Sequence, residues 1–141
     1  MMTQQYNPAD WIDDICEWIA SGNPLTAWCA ESAERPSRRT VNSWRESDPA
    51  IKARMQEARN VGGHALVDAG HALVMAPPAR VDGKIDPGDV QLRKVQAWYL
   101  LEEAKRLNPR ELGEKVQQEV TGANGGAIQS EHRIVFVESK K

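Results

Sequence analysis

Apolar side chains recur at helical spacing from the start of the chain. Ile12, Ile15, Cys16 and Ile19 lie three and four apart and predict a helix. Asn7 and Pro8 open it by a cap-then-proline pattern, and Gly22 closes it. Asp10, Asp13 and Asp14 stand in the first turns, where the helix dipole favours anions. Asn23 and Pro24 start a second helix in the same way, with Leu25, Trp28 and Cys29 on one face. A loop at 34–36 breaks it. Ser37 caps a third helix, in which Val41 and Trp44 pack inward. Residues 8–47 therefore predict a three-helix bundle. Trp11, Trp18, Trp28 and Trp44 supply its core mass, with Trp11 towards the edge of the apolar stripe.

Asp48 and Pro49 punctuate the chain and start a long helix to about residue 75. Its stripe is Ile51, Met55, Ala58, Gly62, Ala65, Ala69 and Ala72, mostly small residues that bury little area per turn. Gly62 and Gly63 each cost a helix about 1 kcal/mol relative to alanine, and mark either a kink or a close helix contact. Residues 76–87, with three prolines and a glycine, predict a loop. A further helix follows over 88–107. Val95, Trp98, Tyr99, Leu100 and Leu101 make it apolar nearly all round, more than one small-residue partner can cover. Contact with other subunits is the expected remedy, with Val95, Trp98 and Leu101 at its centre.

Asn108 and Pro109 stop that helix. Strand-like runs at 115–121 and 132–138 then flank the turn residues of 122–126. In the second run Ile134 and Phe136 point one way and Val135 and Val137 the other. A lone hairpin with two apolar faces is marginal in water and aggregation-prone, so a sheet shared between protomers is expected.

The third helix carries the candidate chemistry. With Val41 and Trp44 inward, Arg38, Arg39, Asn42 and Arg45 face outward, as on the recognition helix of a helix-turn-helix, and Arg35 sits at the helix entrance. The plainer reading is a short amphipathic helix with a solvated basic face. The net charge is −2, unusual for a DNA binder. All four basic residues of 1–48 lie between 35 and 45, against eight acidic ones in the same stretch. A single such module neutralises few phosphates and binds DNA weakly, so useful affinity needs several copies acting together.

Other classes find little support. No apolar run approaches the ~20 residues of a membrane helix. The N-terminus lacks the basic and apolar regions of a signal peptide. Cys16 and Cys29 read as small buried thiols in a reducing cytoplasm. His64, His71 and His132 are scattered. His64 and His71 can share a helix face with Asp68 between them, which reads as solvated surface rather than a metal site. There is no P-loop, and no nucleophile–histidine arrangement can be assembled from spacing. No catalytic residue, metal or cofactor is expected.

The order of elements, together with three local stretches, resembles the small terminase subunit of tailed bacteriophages over nearly the whole chain. Trp98 and the run K-R-L-N-P-R-E-L-G-E-K-V at 105–116 are similar to that family's tryptophan, helix end and proline-tyrosine-glycine turn, with Leu112 where an aromatic is common. The segment V-T-G-A-N-G-G-A-I at 120–128 is similar to its glycine-rich link into the last strand, and R-T-V-N-S-W at 39–44 to its recognition helix.

The resemblance implies a mainly α protein in three parts. A helix-turn-helix DNA-binding domain spans 1–48, a central helical hairpin for oligomerisation 49–112, and a C-terminal β-hairpin and tail 113–141. It implies a homo-oligomeric ring of about eight to ten subunits, with the terminal strands forming an intersubunit β-barrel. Its partners would be double-stranded viral DNA, recognised at the start of packaging in the host bacterial cytoplasm, and the large terminase subunit, which carries the ATPase and nuclease. No membrane partner is expected. The alternative is a helix-turn-helix transcription regulator binding an operator as a dimer. That reading explains residues 8–47 but not the all-round apolar helix or the two-faced final strand.

Overall fold

The computed structural model describes residues 5–115, 122–128 and 130. A 3-10 turn at Pro8–Asp10 leads into α1 (Ile12–Ala20), followed by α2 (Leu25–Ala30) and α3 (Arg38–Ser47). Asn7 caps the 3-10 turn through its side chain, which accepts from the Ala9 N–H at 3.2 Å. Gly22, at φ +88°, ends α1. Its N–H bonds the Ile19 carbonyl, and the Asn23 N–H bonds that of Trp18, which is the Schellman pattern. Pro24, not Asn23, holds the cap position of α2, its carbonyl accepting from Ala27 and Trp28.

Ile12, Ile15 and Ile19 from α1 close on Trp28 of α2 and Val41 of α3, with Met55 and Ala58 of the next helix beneath them. Trp28 is completely buried, whereas Trp44, Trp11 and Trp18 pack half-buried around the cluster. The core of the bundle is thus built on Trp28 rather than on Trp44. Cys16 and Cys29 are free and half-buried, and burial pushes both thiols above their ordinary value.

Helix α4 (Pro49–Met75) is capped by Asp48 and runs unbroken through Gly62 and Gly63. These glycines mark close contacts on two sides. A Cβ on Gly62 would lie 2.3 Å from the Ile19 carbonyl oxygen, and one on Gly63 would lie 3.0 Å from Asn108 Cβ and 3.1 Å from the Ala104 carbonyl oxygen. The first lets α1 rest against α4. The second seats helix α5 (Pro87–Leu107), which packs antiparallel on α4 through Ala97, Leu100 and Ala104.

The segment between α4 and α5, expected to be a loop, contains a small antiparallel hairpin. Strand β1 (Arg80–Val81) pairs with β2 (Lys84–Ile85), Arg80 opposite Ile85 and Val81 opposite Lys84. Asp82 and Gly83 turn it with φ of 50° and 76°, the backbone that a two-residue hairpin requires. Strands of two residues leave no periodicity, but the Asp-Gly pair was the available signal.

Asn108 ends α5 and caps α6 (Pro109–Leu112), accepting from the Glu111 N–H at 3.2 Å. Residues 122–126 form a tight turn closed by the Gly122 N–H on the Gly126 carbonyl at 2.8 Å. The run expected at 115–121 is described only at Lys115, which is not in a strand. The run at 132–138, with Ile134, Val135, Phe136 and Val137, lies outside the described residues.

Candidate nucleic-acid interface

The side chain of Ser37 starts α3, accepting from the Thr40 N–H at 3.3 Å. Val41 is then drawn completely into the core, and this fixes the rotation of the helix. Arg38, Asn42 and Arg45, at helical spacings of four and three, form one stripe beside Val41. That stripe does not open onto free solvent along its whole width. It lines a cleft of about 340 Å³, whose other walls include Leu25 and Thr26 of α2, Met55 and Arg59 of α4, and Glu103 and Leu107 of α5.

The candidate residues are therefore not all together. Arg38, Asn42 and Arg45 share the cleft, and Arg45 Nη2 also pairs with Glu46 Oε1 at 3.1 Å. Arg39 is exposed on another side of α3. Arg35 is folded into the bundle. Its guanidinium lies 4.6 Å over the Trp28 ring, and Nη1 donates to the Trp28 carbonyl at 2.9 Å and to Glu31 Oε2 at 3.1 Å. Trp28 Nε1 in turn donates to Asp14 Oδ2 at 2.7 Å. Arg59, by contrast, joins the cleft from a helix read in sequence only as an oligomerisation element. No spacing signal links it to residues on α3.

A second candidate surface lies on α5. Its inner face is Ala97, Leu100 and Ala104, so Val95, Trp98 and Leu101 fall outside the intrachain contact. Val95 is 60% exposed, Trp98 62% and Leu101 43%, with Leu92 and Tyr99 also exposed.

Near the end of α5, His64 Nε2 meets Glu111 Oε2 at 2.6 Å, beside the buried Asn108. Asn108 Nδ2 donates to the Asn60 carbonyl and to Glu111 Oε2, both at 3.3 Å. These hydrogen bonds, that of His64 first, lower the Glu111 carboxyl below its ordinary value. His64 is thus engaged with α6 rather than simply solvated. Among the described residues no group of three His, Cys, Asp or Glu side chains is placed to hold a metal ion. No helix there is long and apolar enough to cross a membrane.

The described residues thus form a small helical bundle with a basic helix, set on a long helical hairpin whose outer face is apolar. A sequence model of the bacteriophage Sf6 terminase small subunit-like family matches residues 7–119, and the chain belongs to that family. Crystal structures of three point variants of the terminase small subunit gp1 of the bacterial virus Sf6 are similar to it. Each has a TM-score of 0.61 and 25% identity, covering 94% of this chain and 96% of the other. No curated protein matches the chain.

Proposed function

We propose that this chain starts viral DNA packaging as a non-catalytic small terminase subunit. It assembles through α5 into a homo-oligomeric ring, presents α3 of each helix-turn-helix module to duplex DNA, and recruits the large terminase subunit in the host cytoplasm. The observation that carries the reading is the outer face of α5, where Trp98 is 62% exposed between Val95 and Leu101. A tryptophan in water forfeits the stabilisation its burial would provide, and neighbouring protomers supply the missing cover. The apolar run at 134–137 completes the assembly as intersubunit β-structure.

Within this reading Arg38, Arg39 and Arg45 contact the DNA backbone and Asn42 is the base reader. Arg35 supports the module from inside. Each module binds weakly, and the ring supplies affinity by presenting many at once.

The test is duplex binding by a variant with Arg38, Arg39 and Arg45 all changed to Gln. Losing these phosphate contacts weakens binding and makes its salt dependence shallower. Unchanged affinity and unchanged salt dependence would remove α3 from the interface.

A further inference from the structure

The cleft between α3 and the helical hairpin has the chemistry of an anion site. Arg38 and Arg45 line it from α3 and Arg59 from α4, with the Asn42 amide beside them. The acidic side chain on its wall, Glu103, already accepts from Arg106 Nη1 at 2.7 Å. Arg38 and Arg59 make no hydrogen bond or ion pair among the described residues. Arg45 Nε is buried and has no acceptor there. A buried guanidinium N–H is rarely left without a partner, and of the three arginines on the cleft only Arg45 is paired, through Nη2 to Glu46, so the cleft offers an anion more donors than the described residues occupy. Pro24, Leu25, Met55 and Leu107 supply apolar walls that thin the water around such a charge.

We propose that this cleft binds a phosphate group, and that Arg59 of α4 is a ligand for it alongside Arg38 and Arg45. Guanidinium forks match phosphate oxygens in geometry as well as charge. The phosphate comes either from the backbone of bound duplex or from a free phosphate ion. The first source rests on the DNA-facing reading of α3; the cleft itself does not. An occupant held from both sides ties α3 to α4, so that binding fixes the angle between the DNA-reading bundle and the helical hairpin.

The experiment compares the full chain with Arg59→Gln, and with Arg59→Lys as the charge-retaining control. Circular dichroism establishes that each is folded. In one arm, melting is followed in inorganic phosphate against chloride at matched ionic strength. The proposal expects phosphate to raise the melting temperature of the parent chain and not that of Arg59→Gln. In the other arm, duplex affinity is measured across a salt series. Arg59→Gln should bind several-fold more weakly, with a log–log salt slope shallower by about one per engaged module, and Arg59→Lys should recover most of the loss.

A change in the DNA arm, with or without the phosphate arm, assigns the site to backbone phosphate. A change in the phosphate arm alone assigns it to the free ion. If the parent chain fails to bind duplex while phosphate still stabilises it through Arg59, the packaging role falls and the cleft stands. Arg59→Gln matching the parent chain in both arms overturns the proposal.

Discussion

The Arg35 guanidinium carbon lies over the Trp28 indole, 4.6 Å from the ring centre, while Nη1 bonds the Trp28 backbone carbonyl. One side chain thereby closes the loop between α2 and α3 onto the largest fully buried side chain of the bundle. Asp14 completes the arrangement from α1, accepting from the Trp28 indole and lying 3.9 Å from Arg35. An arginine that belongs by sequence position to a basic cluster belongs by contact to the core.

Arg35→Ala should accordingly destabilise the bundle by about 1–3 kcal/mol, the loss of a cation–π contact and a hydrogen bond to a buried carbonyl. Lys at this position should restore little, because it lacks the planar fork. Denaturant unfolding measures the loss. In the fraction that remains folded, the salt slope of DNA binding should not change. A stable Arg35→Ala protein with a shallower slope would return Arg35 to the DNA surface.

The three buried glycines of α4 should respond differently to alanine. Helix propensity alone favours each change by about 1 kcal/mol. At Gly62 the added methyl group would sit 2.3 Å from the Ile19 carbonyl oxygen, a backbone atom with little room to move. Overpacking of that kind typically costs about 1–3 kcal/mol, so Gly62→Ala should lower the melting temperature. At Gly70 the nearest atom is 3.7 Å away, an ordinary contact, and Gly70→Ala should be neutral or stabilising. Equal effects at the two sites would show that α1 does not rest against α4 as described.

Acid should loosen α6. The folded Glu111 carboxyl lies below its ordinary value of 4.5 because His64 and Asn108 bond its charged form. A depressed carboxylate contributes stability that is fully present above the unfolded value and lost as pH falls through the folded one. Hydrogen exchange of α6 should therefore show a protection difference between the parent chain and Glu111→Gln at neutral pH. That difference should vanish as pH drops from about 4.5 downward. A difference that persists unchanged at low pH would mean that the His64–Glu111 contact does not hold α6.

Much of the helical order was legible because it depends on near neighbours. Ile12, Ile15 and Ile19 share a face by period alone, and Asn7, Ser37 and Asp48 announce helix starts by their chemistry, whereas Asn108 reads in sequence only as a stop and the short α6 after it is missed. The glycine pair at 62–63 was visible as an anomaly, but the choice between kink and contact needed the positions of Ile19 and Asn108. What stayed hidden depends on pairings far apart in the chain. His64 and Glu111 are 47 residues apart, and Arg59 reaches the α3 cleft only because α1 seats the bundle on α4. Trp28 and Trp44 are equally apolar in sequence, and tertiary packing buries only the first completely.

The central claim is that the exposed apolar face of α5 is covered by further copies of the same chain, which carry α3 as part of a ring. Native mass spectrometry of the full chain at low protein concentration tests it most directly. The account predicts a closed assembly of one defined subunit number, well above two, that binds duplex DNA without dissociating. A monomer or a dimer as the sole species, with DNA bound by that dimer, would contradict it and favour an operator-binding regulator.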